Sequence, residues 1–388
     1  MYSVLDYGRM ACDGVRMDAY ARAIARTVKP GSVVVDLGAG TGIFSLLAAR
    51  AGARRVHAIE PNPAIWLLPE LAAENGVADR ITIHHRSSLE VSLDERADVI
   101  VSDLRGTSPL MGDHVALLRD ARERLLAPTG VVLPERDELF VAVVENEELF
   151  AAIARGWKPF ERHGLASSAV RTSITNTVFD DRERSLLTSD VLSTEAAWGL
   201  LDYRICDGSP LERTVDLAFT RAGTAHGLAI WFEATVTEDI RYSTAPGSRL
   251  TYARTYLPLT APVAVRRGDS ARVTVRADVR GSRWAWDTRI LDADAAGGAA
   301  AATKADFRQS TFFGAPTSAA DLLRQSTSAR PVRSPHGEFA RHVLDAMDGT
   351  RTVRELADGA PKPAGAKAAR ASTDLLDEVR EIVARYAR

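Results

Sequence analysis

Short apolar runs alternate with stretches of helical repeat over the first 137 residues. The apolar runs are typical of buried parallel strands and lie at 33–35, 56–59, 81–84, 99–102 and 131–133. The helical stretches lie at 10–27, 43–50 and 114–126. Strands and helices that alternate with short links predict an α/β domain at 1–137, built on a doubly wound parallel sheet.

From about residue 139 the pattern changes to consecutive strand-like stretches, whose connections are polar and contain glycine. These stretches lie at 139–144, 214–220, 227–237, 251–257, 263–265 and 271–279, with one more around Trp284 and Trp286. Such a run predicts an antiparallel barrel or sandwich at 138–291. A longer and partly helical segment at about 145–189 interrupts it.

The last part of the chain is predicted to be a linker followed by short helices. Residues 292–305, DADAAGGAAAATKA, are small and of low complexity, so we predict a linker over 292–320. Amphipathic helices are predicted at 337–347, at 352–357 with Thr352 as the cap, and at 374–388, with a flexible stretch at 361–368. Together they predict a helical, winged-helix-like module at 321–388.

The turn after the first strand carries the candidate cofactor chemistry. Asp36 ends the strand, Gly38, Gly40 and Gly42 follow at alternate positions, and Glu60 ends the second strand. Glycines let the backbone approach a ligand closely, and the next helix begins with free N–H groups. A carboxylate at the end of the second strand can accept two hydrogen bonds from a ribose diol.

The spacing of the glycines distinguishes between ligands. A dinucleotide fingerprint, G-x-G-x-x-G, needs a third glycine at position 43, which is Ile43 here. The G-x-G-x-G found instead, led by Asp36, resembles motif I of the Rossmann-like class I methyltransferases that use S-adenosylmethionine (SAM). The resemblance implies that the loop holds the methionine part of SAM and that Glu60 holds the ribose. A dinucleotide site and an ordinary strand–helix turn without a ligand are the alternatives.

Composition narrows the class of protein. The 388 residues are 46% hydrophobic and 26% charged, with a net charge of −2, so we expect a globular protein that does not bind nucleic acid. Cys12 and Cys206 have no metal-ligand spacing, which favours a reducing cytoplasm and no metal site. The N-terminus does not resemble a signal peptide, and no stretch approaches the roughly 18 apolar residues of a membrane span.

The order of a SAM domain followed by an antiparallel barrel resembles the protein arginine methyltransferase family over about residues 7–290. M-x-x-D-x-V-R at 10–16 is similar to the family's first helix. V-L-P at 132–134, W-F-E at 231–233 and S-T-A-P at 243–246 are similar to its later strands.

This resemblance implies roles for further residues. Arg16 is expected to bind the carboxylate of SAM, for which a guanidinium is well suited. Ser88 and Leu89 are expected to lie beside the adenine. The segment at 145–189 corresponds to the family's dimerisation arm, so a homodimer is predicted.

The acceptor half of the chain departs from the family pattern. Residues 96–106, RADVIVSDLRG, resemble the strand and loop that carry two acceptor glutamates in the family. Here the first position is Asp103, and the second falls on Gly112, next to Asp113. Arg105 adds a cation where a cationic substrate would bind.

Three residues are candidates for catalysis. Asp103 follows the fourth strand at the edge of the sheet where ligands bind, and a carboxylate can hold or receive the proton of an amine. Asp113 is the second candidate. Tyr252 is the third, because Thr251-Tyr252-Ala253 replaces the family's Thr-His-Trp loop. Alternatively, Asp103 caps its loop, Asp113 caps the following helix and Tyr252 packs in the barrel.

These features predict a SAM-dependent N-methyltransferase that releases S-adenosylhomocysteine. Because only Asp103 keeps its place in the acceptor loop, we predict a peptide amine rather than protein arginine as the acceptor. The segment MDGTRTVRELADGA from Met347 resembles PqqD-like leader-peptide-binding modules, which implies a peptide substrate in a pathway like that of the daptides. A protein arginine methyltransferase and a catalytically inactive SAM-binding scaffold are the alternatives.

Overall fold

The computed structural model describes residues 2–157, 160, 162–278, 283–293, 302–360 and 372–387. The chain forms two compact units, Met1–Pro316 and Thr317–Arg388. The predicted flexible stretch at 361–368 and residues 294–301 of the predicted linker lie outside the described residues. Over the described part of the chain, no helix combines the length and apolar character needed to cross a membrane.

A parallel sheet forms the first half of Met1–Pro316. Its strands are β1 (Val33–Leu37), β2 (Arg55–Ile59), β3 (Ile81–His84), β4 (Ala97–Ser102) and β5 (Leu126–Leu133). Their order in the sheet is β3-β2-β1-β4-β5, and every pair is parallel. The order reverses between β1 and β4, and the crevice beyond this point is where ligands bind in such sheets.

Helices accompany this sheet. They are α1 (Val4–Ala11), α2 (Gly14–Thr27), α3 (Ile43–Arg50), α4 (Leu68–Glu74) and α5 (His114–Leu125), with short 3₁₀ helices at Pro63–Leu67, Ala78–Arg80 and Ser88–Glu90. All five residues of β1 are buried, four of them apolar as is typical of a central parallel strand, and the fifth is Asp36.

The helix predicted at 10–27 is two helices in the structure, because Asp13 interrupts it. The Asp13 carboxylate accepts a hydrogen bond from the backbone N–H of Arg16 at 3.2 Å, which caps α2. Its second oxygen accepts one from the N–H of Thr251 at 2.8 Å. The start of α2 is thereby bound to the antiparallel part of the unit.

The second half of Met1–Pro316 is antiparallel. Its strands are β6 (Arg136–Val144), β7 (Phe179–Asp180), β8 (Ala196–Asp202), β9 (Leu211–Ala218), β10 (Gly223–Thr237), β11 (Ile240–Ser243), β12 (Thr255–Val265), β13 (Ser270–Asp278), β14 (Arg283–Leu291) and β15 (Thr303–Ser310). One sheet has the order β7-β12-β10-β6-β8 with β11 beside β10, and the other has the order β15-β14-β13-β9. The predicted fold class, a doubly wound domain followed by antiparallel sheets, is confirmed.

The structure differs from the prediction at three places. The stretches at 251–257 and 263–265 contribute to one strand, β12, and the sequence pattern did not reveal β8 or β11. Within the predicted linker, 303–310 form β15, which pairs with β14, and α8 (Thr311–Gly314) follows. The small-residue composition ends before β15, and Phe307 packs against the core.

The described residues of the segment at 145–189 include α6 (Glu147–Ala154), α7 (Ser168–Thr175) and 3₁₀ turns at Arg155–Trp157 and Thr188–Asp190, besides β7. The second unit contains α9 (Ala319–Gln325), α10 (Pro335–Ala346), α11 (Val353–Gly359) and α12 (Ser372–Tyr386), and no strand occurs among its described residues. Thr352 caps α11 through a capping box with Glu355, and Phe339, Val343, Leu356 and Val379 form the core of this unit.

Candidate cofactor and acceptor site

The glycine loop after β1 adopts a backbone conformation that favours glycine. Gly38 has φ +78° and Gly40 has φ +57°, both in the left-handed region. A Cβ atom on Gly40 would lie 2.6 Å from Cε1 of Tyr7, and one on Gly38 would overlap the side chain of Leu104. Side chains at these two positions would therefore fill the space between the loop, α1 and the segment after β4.

Glu60 is held beside this loop. One carboxylate oxygen accepts a hydrogen bond from the N–H of Gly40 at 2.9 Å, and the other accepts one from the N–H of Asn62 at 2.7 Å. The side chain lines a cavity of about 230 Å³ next to the glycine loop. We call this space the glycine-loop cavity.

The structure brings four of the predicted cofactor residues together at the glycine-loop cavity, and these are Arg16, Gly38, Gly40 and Glu60. The other four, Asp36, Gly42, Ser88 and Leu89, lie outside its lining. Gly42 is the N-cap of α3. Ser88 is buried and Leu89 is 59% exposed, both on the 3₁₀ helix after β3.

Asp36 is buried behind the loop. One of its oxygens accepts a hydrogen bond from the Ser45 hydroxyl at 2.7 Å, and the other has no partner among the described residues. Burial raises the pKa of Asp36 to about 7, although the hydrogen bonds from Ser45 oppose the rise. Asp36 therefore connects β1 with α3 and is partly protonated near neutral pH.

Asp103 lies at the centre of a buried cluster of charged and aromatic side chains. One oxygen accepts a hydrogen bond from Nη1 of Arg16 at 2.5 Å. The other accepts one from Nε of Arg105 at 3.2 Å and one from the Tyr252 hydroxyl. Burial alone would raise the pKa of Asp103, but Arg105 and Arg16 lower it below its ordinary value. Asp103 is therefore a carboxylate at neutral pH.

Arg105 is completely enclosed. Its Nη1 donates to a carboxylate oxygen of Asp137 at 2.7 Å, and its Nη2 donates to the hydroxyls of Tyr20 and Tyr242, both at 2.6 Å. The guanidinium carbon lies 5.1 Å from the centre of the Phe232 ring. Burial would lower the pKa of Arg105, but Asp137 and the surrounding tyrosines together hold it well above its ordinary value.

A second cavity of about 320 Å³, which we call the Tyr252 cavity, lies on the other side of the Asp103 cluster. Both cavities are lined by Tyr2, Met10, Arg16, Asp103 and Arg105, so these residues form a shared wall.

The structure thus brings together two of the predicted catalytic residues, Asp103 and Tyr252. The third, Asp113, is exposed and lines neither cavity. It precedes α5 as its N-cap residue, but its side chain accepts no capping hydrogen bond there.

Comparisons with known proteins agree with this geometry. The family profile of the TRM5/TYW2 methyltransferase domain matches residues 15–121. The histone-arginine methyltransferase CARMER of Anopheles gambiae is 30% identical over 287 residues, which cover 70% of this chain and 46% of that protein. A probable protein arginine N-methyltransferase 6 of Arabidopsis thaliana is 29% identical over 230 residues, which cover 58% of this chain and 52% of that protein. Protein arginine N-methyltransferase 6 of Xenopus tropicalis is 27% identical over 269 residues, which cover 66% of this chain and 79% of that protein.

Solved structures share the fold. Arabidopsis thaliana protein arginine methyltransferase 10 superposes with a TM-score of 0.67 at 20% identity, covering 80% of this chain and 98% of that one. A Trypanosoma brucei PRMT1 enzyme–prozyme heterotetramer with AdoHcy superposes with a TM-score of 0.63 at 22% identity, covering 78% and 97%. The chain is thus similar to SAM-dependent methyltransferases, and among them to protein arginine methyltransferases. It spans about half the length of the Anopheles and Arabidopsis sequence relatives.

SAM is the cofactor that this similarity implies, and the residues present fit it. The two glycines leave a cradle that a Cβ atom would fill, and Glu60 stands beside it. Nε of Arg16 is buried, lies 3.9 Å from a carboxylate oxygen of Asp13 and has no hydrogen-bond partner among the described residues, so its N–H remains available to donate to a ligand. Its Nη1 and Nη2 already bind Asp103 and the carbonyl of Met10.

Sequence reasoning missed the partners of Arg105 in this methyltransferase-like core. Asp137, Tyr20 and Tyr242 are 32, 85 and 137 positions away from Arg105 in the chain, so no local motif joins them. One signal was available, because an arginine beside Asp103 in an otherwise apolar strand end needs a buried counter-charge.

Proposed function

We propose that this chain transfers a methyl group from SAM to a nitrogen atom of a protein or peptide. One observation carries the proposal: the Asp103 cluster forms the wall shared by the glycine-loop cavity and the Tyr252 cavity. When bound, SAM supplies an electrophilic methyl group on a sulfonium. Methyl transfer is an in-line displacement, so the main task of the protein is to align the acceptor nitrogen.

Each side of the shared wall has its own task. The glycine loop, Glu60 and Arg16 would hold the cofactor. Asp103, an anion at neutral pH, would accept a hydrogen bond from the acceptor N–H and direct the nitrogen lone pair toward the methyl group. Burial raises the pKa of Tyr252, so its hydroxyl stays protonated and continues to donate to Asp103.

Protein arginine is the acceptor that the comparisons favour. The sequence relatives are described as arginine methyltransferases, and two of them align over about two thirds of this chain. A carboxylate that is ionised at neutral pH, as Asp103 is, is also a suitable partner for a guanidinium.

A peptide amine is a second candidate, which the contacts of Asp103 support. Arg16, Arg105 and Tyr252 already donate to its two oxygens. Binding a guanidinium productively needs two anionic contacts, but Asp113 lies outside the Tyr252 cavity. An amine loses its proton more readily and can be served by one carboxylate. On this alternative the C-terminal unit would bind the leader of a maturing ribosomal peptide.

Mass spectrometry of reactions with matched peptides tests the proposal. The full chain is incubated with SAM and a Gly-Arg-rich peptide, or the same peptide with its arginines replaced by lysine and its N-terminus free. Methylated arginine supports the first candidate, and methyl groups on an amine support the second. If no peptide or cell extract is methylated although S-adenosylhomocysteine binds, the chain is a SAM-binding scaffold and the proposal fails.

We further propose that the chain forms a homodimer through the segment at 145–189 and acts in the cytoplasm. Trp157 and Phe160 in this segment are 41% and 38% exposed, and their ring centres lie 5.2 Å apart, whereas Leu149 is buried in the chain's own core. Light scattering at micromolar concentration should give twice the chain mass, and a monomer would contradict the dimer. Fluorescence of a tagged chain in its native cells would test the location.

A further inference from the structure

We propose that Arg105 determines the specificity of the site. Its guanidinium, a group of the chain itself, occupies the position at which a cationic acceptor would contact Asp103. This inference rests on the proposed function in one respect only, namely that the acceptor reaches Asp103 through the Tyr252 cavity. It concerns which nitrogen is admitted, and not whether the methyl group is transferred.

All three nitrogens of the Arg105 guanidinium donate to groups that could otherwise bind a substrate. Nε donates to Asp103 at 3.2 Å, Nη1 donates to Asp137 at 2.7 Å, and Nη2 donates to two tyrosine hydroxyls. Four aromatic rings surround the guanidinium carbon at 5.1–6.0 Å, and they belong to Phe232, Tyr242, Tyr252 and Tyr20. Carboxylates and aromatic faces are the chemistry that binds a guanidinium.

The charges around the Tyr252 cavity lead to the same conclusion. Four arginines line it, Arg9, Arg16, Arg105 and Arg182, against two carboxylates, Asp6 and Asp103. Asp103 is already paired with two of these arginines. An incoming guanidinium therefore finds a lining with excess positive charge, whereas an uncharged nitrogen is not penalised.

Removal of Arg105 should open this position to a cationic acceptor. Asp103 would lose one internal partner, and the aromatic cage would be vacated. The same change would leave Asp137 buried, and among the residues that the structure describes only the Tyr203 hydroxyl would still donate to it, at 2.6 Å. Because an unpaired buried carboxylate is strongly destabilising, the test variant combines Arg105→Ala with Asp137→Asn.

Calorimetry on the full chain saturated with S-adenosylhomocysteine tests the inference. The probes are two peptides of one sequence that differ only in carrying arginine or citrulline, which has the same shape without the charge. Wild type should bind the arginine peptide no more tightly than the citrulline peptide. The double variant should bind the arginine peptide about tenfold or more tightly than the citrulline peptide, because a hydrogen bond to a charged group changes affinity by at least this factor.

Two control variants isolate the effect. Asp137→Asn alone removes the buried acid while Arg105 stays in place. Arg182→Ala removes a 67% exposed cation that lines the same cavity and leaves Asp103 paired. Neither should create a preference for arginine. The inference is overturned if the double variant gains no preference or if both controls gain it equally.

The wild-type measurement keeps the inference falsifiable even if the double variant does not fold. A tenfold preference of wild type for arginine over citrulline would by itself overturn it. Turnover is recorded with the same peptides, so the two proposals fail separately. A new preference for arginine without any turnover would reject the proposed function alone, and turnover without the predicted preferences would reject only the role of Arg105.

Discussion

Asp36 and Asp103 lie at the carboxyl ends of neighbouring parallel strands, yet they differ in charge. Asp36 is in β1, and Asp103 directly follows Ser102, the partner of Leu37 in the sheet. Both carboxylates are buried, but Asp36 has one hydroxyl donor, whereas Asp103 has two guanidiniums and a phenol. Burial therefore raises the pKa of Asp36, while the two arginines outweigh burial and lower the pKa of Asp103.

This difference separates the two sides of the site. On the cofactor side, the glycine loop leaves a cradle and the Glu60 carboxylate is held by backbone N–H groups, which suits a ligand with many polar atoms. On the acceptor side, charges are paired inside the chain before any substrate arrives. The Asp103 carboxylate is therefore ionised before an acceptor binds. Because it already has internal partners, it does not accept every acceptor equally.

The most severe test of the comparison is Asp103→Asn. This change removes the only anion of the shared wall, so turnover should fall by about 10²- to 10⁴-fold, as for the loss of a group that handles a proton. Calorimetry with S-adenosylhomocysteine should show that cofactor binding persists. Asp113→Asn is the matched control, because its exposed side chain lines neither cavity, and turnover should be unchanged. Equal losses in both variants would contradict the assignment.

The second test concerns Asp36 and pH. With a pKa of about 7 in the folded chain, Asp36 stays protonated above pH 4, where the unfolded chain ionises. Its contribution to the free energy of unfolding is therefore greatest below about pH 4 and is lost as pH rises through 7. The loss should be roughly 3 kcal/mol between pH 5 and pH 8.

Urea unfolding of wild type and Asp36→Asn at these two pH values measures the effect of Asp36. The variant lacks the titrating group, so its free energy of unfolding should change less with pH than that of wild type. Asp113→Asn again serves as a control and should follow wild type. An identical pH dependence in wild type and Asp36→Asn would show that Asp36 does not titrate in this range.

The same two regions show what could be predicted from the sequence. The turn that follows Asp36, with Gly38 and Gly40, and the acid Glu60 lie within 25 positions, so strand pattern and spacing were enough to predict the loop. Asp103 was predicted because it ends a strand at the switch point of the sheet. Its contact with Tyr252, 149 positions away, was not predicted, since it depends on how β4 meets the antiparallel sheets.

Other misses have similar causes. β15 was assigned to a linker because small residues precede it, although Thr303 and residues 305–310 pair with β14. Asp36 was expected to bind the cofactor, but it lies outside the lining of the glycine-loop cavity, and its carboxylate accepts a hydrogen bond from the hydroxyl of Ser45 in α3, nine positions along the chain. Spacing shows that an acid ends a strand, but it does not show whether the carboxylate faces a ligand or a neighbouring helix.

A third test sharpens the cofactor side of the comparison. Glu60→Ala removes the acceptor next to Gly40, and a hydrogen bond to a charged group contributes roughly 1.5–3 kcal/mol. SAM affinity should therefore fall by about tenfold or more in calorimetry. Glu60→Gln retains an acceptor oxygen and should lose less. Unchanged affinity in Glu60→Ala, or tight NAD binding by wild type, would reject the cofactor assignment.

The smallest expected effect comes from removal of the second unit. Both sides of the site lie within Met1–Pro316, and mutations at distant, independent sites are usually additive, so a chain that ends at Pro316 should bind S-adenosylhomocysteine within about twofold of the full chain. A chain that ends at Ala293 is the contrast. It lacks β15 and the Lys304–Asp269 ion pair at 2.5 Å, so it should unfold at lower temperature. If the shorter chain is as stable as the longer one, β15 is dispensable, and if the chain ending at Pro316 fails to bind the cofactor, the two units do not act independently.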